Sequence, residues 1–294
     1  MAGLIVLINS CNHKPSVKLL TTQSLSFSSA SAIEFYKDKL YIFGDDATYL
    51  LILSPEYKVL DTVHYLPKAN GRLPKESKPD IESAMIMTKD GLPVLASVGS
   101  MSDTLRWNVI KLSLDSLSFT TIEFFKKGTS FPSIKEINIE GSCMVGNTIV
   151  FSNRANLKNQ MNYLLFWNGK DAVTTKKMAL PKDEKLPGIS GLYYVKEKDL
   201  LLFTASEEAT TNAIEDGEIG ESYIGWITNF LQKMNAQQLS ADGFLKLLDF
   251  DNAFSKEKIE SLCVERVQGN NLLLHLVADN DDGQSRIFKV ELRL

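Results

Sequence analysis

Asn138-Ile139-Glu140-Gly141-Ser142 is the stretch that decides how this chain is read, because near copies of it return at long and similar intervals. The copies are Asp80-Ile81-Glu82-Ser83-Ala84, Gly188-Ile189-Ser190-Gly191-Leu192 and Lys258-Ile259-Glu260-Ser261-Leu262, with a weaker fifth at Ser29-Ala30-Ser31-Ala32-Ile33. From Ser31 through Glu82, Glu140 and Ser190 to Glu260 the spacings are 51, 58, 50 and 70 residues. Recurrence at such a period marks a repeat architecture in which each unit is one supersecondary element.

Every opening motif runs into an apolar strand, a polar turn and a second strand. The turns, at Lys37-Asp38-Lys39, Lys89-Asp90-Gly91, Gly146-Asn147, 196–199 and 268–271, consist of residues that tolerate tight bends. The second strands, at 40–43, 93–98, 149–152, 200–204 and 272–277, are almost continuously apolar, which predicts cover on both faces. Third strands follow near 49–53, 109–112, 163–167, 223–227 and 286–290, and fourth strands near 59–63, 119–124, 173–178 and 244–250. The fifth unit reaches Leu294 with no room for a fourth strand, whereas residues 17–27 precede the first unit and belong to none. An N-terminal strand that completes the last unit would close the ring and remove a free sheet edge.

The expected fold is therefore all-β: one β-propeller over residues 17–294, with five four-stranded blades or, as the alternative, six. A β-sandwich followed by an α+β domain fits less well, since the motif spans the whole length and no Pro/Gly/Ser-rich linker divides the chain. The surplus in the fourth unit lies at 215–240, where 228–239 has the composition and apolar spacing of an inserted helix.

Composition bounds the function. With 294 residues, 44% hydrophobic, a net charge of -4 and 3 Cys, the chain is neither disordered nor a disulfide scaffold. No Lys/Arg-rich run is present to neutralise phosphates, so nucleic acid is not an expected partner. At the N-terminus, apolar residues 3–8 lead to Ile8-Asn9-Ser10-Cys11, which resembles a bacterial lipobox with Cys11 as the lipidated residue. A basic start is missing, so this is either a shortened leader or a tail on a cytoplasmic protein. The polar run Asn12 to Ser16 suits a tether, and residues 1–16 are read as a leader-like tail of a monomeric, periplasm-facing envelope lipoprotein, cytoplasmic being the alternative.

The fifth unit, from Lys258-Ile259-Glu260-Ser261-Leu262-Cys263 to Ala278-Asp279-Asn280-Asp281-Asp282-Gly283, resembles the closing blade of esterase-like, phytase-like propeller proteins. Lys78-Pro79-Asp80-Ile81-Glu82, Asn138-Ile139-Glu140-Gly141 with Ser152-Asn153-Arg154-Ala155-Asn156, and Ser29-Ala30-Ser31 with Gly44-Asp45-Asp46 are similar to a related bacterial family known only as a domain of unknown function. The resemblance covers about residues 28–294 and implies the propeller fold. It leaves open an ester or phosphoester hydrolase.

First strands line a propeller's channel, so Glu82, Glu140 and Glu260 are expected to converge near its axis. Converging carboxylates raise one another's pKa unless a cation or donors relieve them. A divalent cation such as Ca²⁺ would do so, with Asp281 as a further ligand. The competing reading is local pairing with Lys78, Lys135, Lys256 or Lys258. Asn153, Arg154 and Asp279 are expected on the rim, Arg154 as a fork for a carboxylate or phosphate. The 279–283 loop is similar to a calcium loop, but its Gly stands fifth and no Glu stands twelfth. Ser190 lacks a nucleophile-elbow spacing, Cys143 and Cys263 are small core residues in different blades, and the three histidines suggest neither zinc site nor triad. No catalytic residue is assigned. A propeller that binds a small molecule or ion at its funnel is expected, with a metal-dependent hydrolase as the alternative.

Overall fold

The structure, a computed structural model, describes residues 14–67, 73–74, 77–103, 106–123, 131, 134–157, 159–169, 172–181, 186–208, 217–280 and 283–294. After β1 (Ser16–Leu25), the first blade is β2 (Ala30–Tyr36), β3 (Lys39–Gly44), β4 (Tyr49–Leu53) and β5 (Val59–His64). The second is β6 (Ile81–Lys89), β7 (Leu92–Gly99), β8 (Asn108–Ser113) and β9 (Phe119–Glu123). The third is β10 (Ile139–Val145), β11 (Thr148–Asn153), β12 (Asn162–Trp167) and β13 (Thr174–Ala179).

Blade four holds β14 (Gly188–Val195), β15 (Leu200–Glu208) and β16 (Ile219–Thr228), followed by α1 (Phe230–Lys233), β17 (Gln238–Ser240) and its outer strand β18 (Gly243–Lys246). Blade five is β19 (Ile259–Gln268), β20 (Asn271–Asp279) and β21 (Ser285–Arg293), and β1 completes it by pairing antiparallel with β21, Val17 opposite Leu292 and Gln23 opposite Ile287. The fold is an all-β, five-bladed propeller closed by its N-terminal strand.

Alternation within the second strands builds the core. In β3, Leu40 and Ile42 face blade five while Tyr41 and Phe43 face blade two, so one strand feeds two interfaces. The same division around the ring gives one hydrophobic cluster per interface between neighbouring blades. This explains why the second strands are apolar at every position. First strands stand edge to edge about the axis: β2 between β19 and β6, β10 between β6 and β14, and β14 beside β19.

The helical insertion is shorter than the composition of 228–239 predicts. Asn229 enters α1 in the left-handed conformation with no side-chain cap, and the helix lasts one turn. Phe230 anchors it by full burial against Phe166 and Tyr194. The chain then crosses to blade three, where β17 pairs parallel with β13. Blade four's outer strand starts at Gly243, close to the expected 244, but ends at Lys246, and Leu247–Asp249, expected as strand, turns into a 3₁₀ segment. Tertiary pairing with the neighbouring blade overrides local helix propensity here.

Candidate functional site

The five aligned positions share a backbone device that composition does not show. In every blade the pairing of first and second strands slips by one residue at the motif, between Ala30 and Ala32, Ile81 and Ser83, Ile139 and Gly141, Ile189 and Gly191, and Ile259 and Ser261. The skipped residues are Ser31, Glu82, Glu140, Ser190 and Glu260. A bulge re-aims the side chain of its extra residue. Repeated around the ring, it turns five polar groups toward one mouth. The serines are spent on neighbouring blades, Ser31 Oγ donating to the carbonyl of Ile81 and Ser190 Oγ to that of Ile259. The glutamates carry the charge.

In blades three and four, close approach fixes the residue after the bulge as glycine. A Cβ on Gly141 would stand 2.8 Å from the Leu192 backbone nitrogen, and one on Gly191 would stand 2.9 Å from Ser261 Cα. Glycine at these positions lets adjacent first strands meet.

Around Glu140 and Glu260 lies a buried network spanning blades three to five. Glu140 accepts from Asn138 Nδ2 at 2.6 Å and from Arg154 Nη1 at 3.2 Å. Arg154 also lies 3.0 Å from Glu208 and 3.7 Å from Glu260, and donates to the Ser206 carbonyl at 3.4 Å. Lys258 reaches Glu260 at 3.1 Å and Glu208 at 3.3 Å. Burial drives the Glu140 carboxyl up to about 7 against the pull of Arg154, with Glu260 adding to the rise. Burial also raises Glu260, against Lys258 and Arg154. Glu208 moves the other way: burial would raise it, but Arg154 and Lys258 together hold it below its ordinary value.

The second half of the mouth joins blades one and two. Lys78 pairs with Asp45 and stands 2.8 Å from Asp80, which also meets Arg106 at 2.8 Å. Glu82 has carboxylate oxygens close to those of Asp45 and Asp80, one from each residue lying within 4.8 Å of the others. Burial raises Glu82 well above the usual carboxylate range, and Glu140, Asp80 and Asp45 push further in the same direction. Asp45 is raised by burial, with Lys78 opposing. Its Oδ1 is buried and has no hydrogen-bond partner among the described residues. Among the described residues, six carboxyls of the mouth (Asp45, Asp80, Glu82, Glu140, Glu208, Glu260) stand against four cationic side chains (Lys78, Arg106, Arg154, Lys258), so full ionisation of these ten groups would give two more negative charges than positive.

Glu140 thus stands close enough to raise Glu82, and Glu260 close enough to raise Glu140. The oxygens that gather tightly are a different set, Asp45, Asp80 and Glu82. Of the rim residues, Arg154 is buried among carboxylates and presents no open fork. Asn153 is fully buried, its Oδ1 accepting from the Asn138 amide and its Nδ2 donating to the Glu136 carbonyl. Asp279 is buried as well. Cys11 and Asp281 lie outside the described residues. Cys143 and Cys263 are buried free thiols.

Sequence reasoning missed Asp80 and Asn138, which stand two residues before their glutamates in the register of Lys258, itself expected as a pairing partner and found 3.1 Å from Glu260. Arg106 lies in the loop between β7 and β8, outside the aligned motif. His275, whose partners no spacing suggested, lies between Tyr57 Oη at 3.0 Å and Glu265 Oε2 at 2.8 Å, fully buried between blades one and five.

Among solved structures, the chain is similar to glutaminyl cyclase of Myxococcus xanthus, at 11% identity over 95% of this chain and 97% of that one, with a TM-score of 0.56. A Bacteroides vulgatus member of the duf4221 family matches at 13% identity over 96% and 97% of the two chains, with a TM-score of 0.46. A Bacteroides fragilis protein described as a candidate exported protein matches at 10% identity over 96% and 95%, with a TM-score of 0.43. Likeness at such identities concerns the fold alone. No curated protein matches the chain. These comparisons do not show esterase-like or phytase-like kinship. The profile described as "Family of unknown function (DUF6929)" covers residues 26–292, nearly the whole ring, and the chain belongs to that family.

Proposed function

We propose that this protein is a non-catalytic binding propeller that takes a hard divalent cation, Ca²⁺ foremost, at the Asp45–Asp80–Glu82 corner of its funnel mouth. The observation that carries the reading is a trio of carboxylate oxygens within 4.8 Å of one another, beside a buried Asp45 Oδ1 with no hydrogen-bond partner among the described residues, at a mouth where the carboxyls among those residues outnumber the cations paired with them. Opposite ligands of Ca²⁺, each at about 2.4 Å, stand about 4.8 Å apart. Without the ion, protons must supply the missing charge, which is the sense of the raised Asp45, Glu82 and Glu140 carboxyls. Calorimetric titration of Ca²⁺, Mg²⁺ and Mn²⁺ at pH 8 tests it. One saturable site that weakens at least tenfold in Glu82→Gln is the expected result, and no heat from any of the three would end the proposal.

A metal-dependent ester or phosphoester hydrolase is the second reading, favoured by Glu140. A carboxyl held at about 7 beside Arg154 suits proton transfer near neutral pH. Turnover of phosphate or carboxylic esters that requires the cation and is abolished by Glu140→Gln would establish it over the binding module. For location, we infer a monomer anchored in the bacterial envelope through Cys11. Ile8-Asn9-Ser10-Cys11 and the polar tether after it support this. Fatty-acid labelling that is lost in Cys11→Ser checks it, and an unlabelled product points to the cytoplasm.

A further inference from the structure

The five-fold register that makes the mouth also makes a second layer. Three residues beyond each bulge stand Glu34, Met85, Cys143, Tyr193 and Cys263, roughly 10 Å further along the channel at about 3.3 Å per strand residue. At this level lies a chamber of about 100 Å³, whose lining includes Glu34, Met85, Cys143, Met144, Tyr193 and Tyr194. An adjoining cleft of about 450 Å³ between blades four and five shares the Tyr193–Tyr194 wall.

We propose that this chamber is a second ligand site, for a small organic ammonium ion, with Glu34 as counter-charge and Met85, Met144, Tyr193 and Tyr194 enclosing the carbon skeleton. Glu34 is buried, and the Phe35 backbone N–H beside it eases its charge only in part. No cationic side chain pairs with it among the described residues, in contrast to most carboxyls at the mouth. A buried carboxyl in that state is costly to the fold, and a cation is the ligand that relieves it. The chamber selects among cations. A hard metal ion needs six or more oxygens, and this wall offers one carboxylate among sulfur and carbon. A thiophilic metal would need thiolates, yet burial raises the thiols of Cys143 and Cys263 and keeps them protonated. Their ligand atoms also do not gather with a Glu34 oxygen in the way the Asp45 trio does. Tyrosine faces and thioethers are favourable walls for an alkylammonium group. The chamber is smaller than the ~150 Å³ that holds benzene in an engineered apolar cavity, which suits a head group of a few heavy atoms.

Among the described residues, the titratable groups near Glu34 are Cys143 from β10, Tyr193 and Tyr194 from β14 and Cys263 from β19, all raised by burial and neutral. Burial holds Glu34 itself at about 8, so an arriving cation must displace a proton at neutral pH.

The experiment is calorimetric titration of the full chain, in EDTA, with methylammonium and tetramethylammonium chloride as probes. EDTA keeps the outcome independent of the cation site at the mouth. Saturable one-to-one binding is expected for at least one probe. It should weaken about tenfold per pH unit below about 8, with proton release. Glu34→Gln should weaken it at least tenfold. Cys143→Leu, which fills the chamber and leaves Glu34 in place, should do the same and decides the matter if Glu34→Gln does not fold. Absence of saturable binding to both probes, or undiminished binding in either folded variant, overturns the proposal.

Discussion

Replacing Arg154 by Met removes the guanidinium that joins three blades while keeping an unbranched stem against Gly188, whose Cβ, if present, would lie 2.4 Å from Arg154 Cγ. Glu140, Glu208 and Glu260 then have Lys258 as their remaining cationic partner among the described residues, with none of these side chains more than 12% exposed. Breaking a buried ion pair by deleting one partner costs about 3–5 kcal/mol, and the size depends on the carboxyls being ionised. The sign follows from both kinds of shift. Glu208, held low in the native protein, contributes stability above the unfolded carboxyl value of 4.5, and much of that contribution is lost with the arginine. Glu140 and Glu260, held high, already subtract stability as pH rises from 4.5 through their folded values, and without Arg154 they subtract more. Both effects make the deficit grow with pH. Urea unfolding at pH 8 should therefore show a loss of about 3–5 kcal/mol, shrinking to about 1 kcal/mol near pH 4.5. A deficit of equal size at both pH values, or one below about 1 kcal/mol at pH 8, would mean that Arg154 acts by packing and that the charge accounting of the mouth is wrong.

Glu34→Gln should stabilise the protein at pH 8 and leave it unchanged near pH 4.5, since the gap between 4.5 and about 8 corresponds to at most roughly 5 kcal/mol. Urea midpoints across that range check it, and a loss of stability at pH 8 contradicts it. Deleting residues 1–25 removes β1 and leaves β21 as a bare edge; the whole domain should melt lower in one cooperative step, whereas an unchanged midpoint would show that the ring does not need this closure. Gly191→Ala drives a methyl to within 2.7 Å of Thr204 Oγ1 and 2.9 Å of Ser261 Cα, and should cost about 1–3 kcal/mol. A neutral result in thermal melting would show that the first strands have slack.

Repeats made the ring legible. Aligning Ile81-Glu82, Ile139-Glu140, Ile189-Ser190 and Ile259-Glu260 identified the blades, their strand order and the closing role of β1, because each unit buries its two faces in the same alternating way. The bulge was not legible. It is a backbone slip between paired strands, and the residue that it frees looks in sequence like any other strand position. Pairing was harder still. The arginine expected as an open fork lies inside its own acidic cluster, since Arg154 leaves β11 where the ends of β10, β15 and β19 meet. Glu34 passed unnoticed because it sits in an apolar strand and its environment is supplied by three other blades. His275 gave no spacing signal for a related reason: Tyr57 lies 218 residues away in the chain. The short helix was misjudged for want of the strand partner that β13 offers β17.

The central claim is that the mouth binds a divalent cation to make up its missing charge, and thermal melting with and without that ion tests it most directly. Saturation at about a hundred times the dissociation constant contributes about 2.7 kcal/mol to a fold that alone binds the ion. At an unfolding entropy of about 2.1 cal/mol/K per residue, or roughly 0.6 kcal/mol/K for this chain, Tm should rise by about 4 °C. Chelator should reverse the rise, and Glu82→Gln should abolish it without lowering the metal-free Tm. No change in Tm with Ca²⁺, Mg²⁺ or Mn²⁺ at pH 8, or an equal rise in Glu82→Gln, would contradict the account and leave Asp45, Asp80 and Glu82 as framework carboxyls held by Lys78 and by protons.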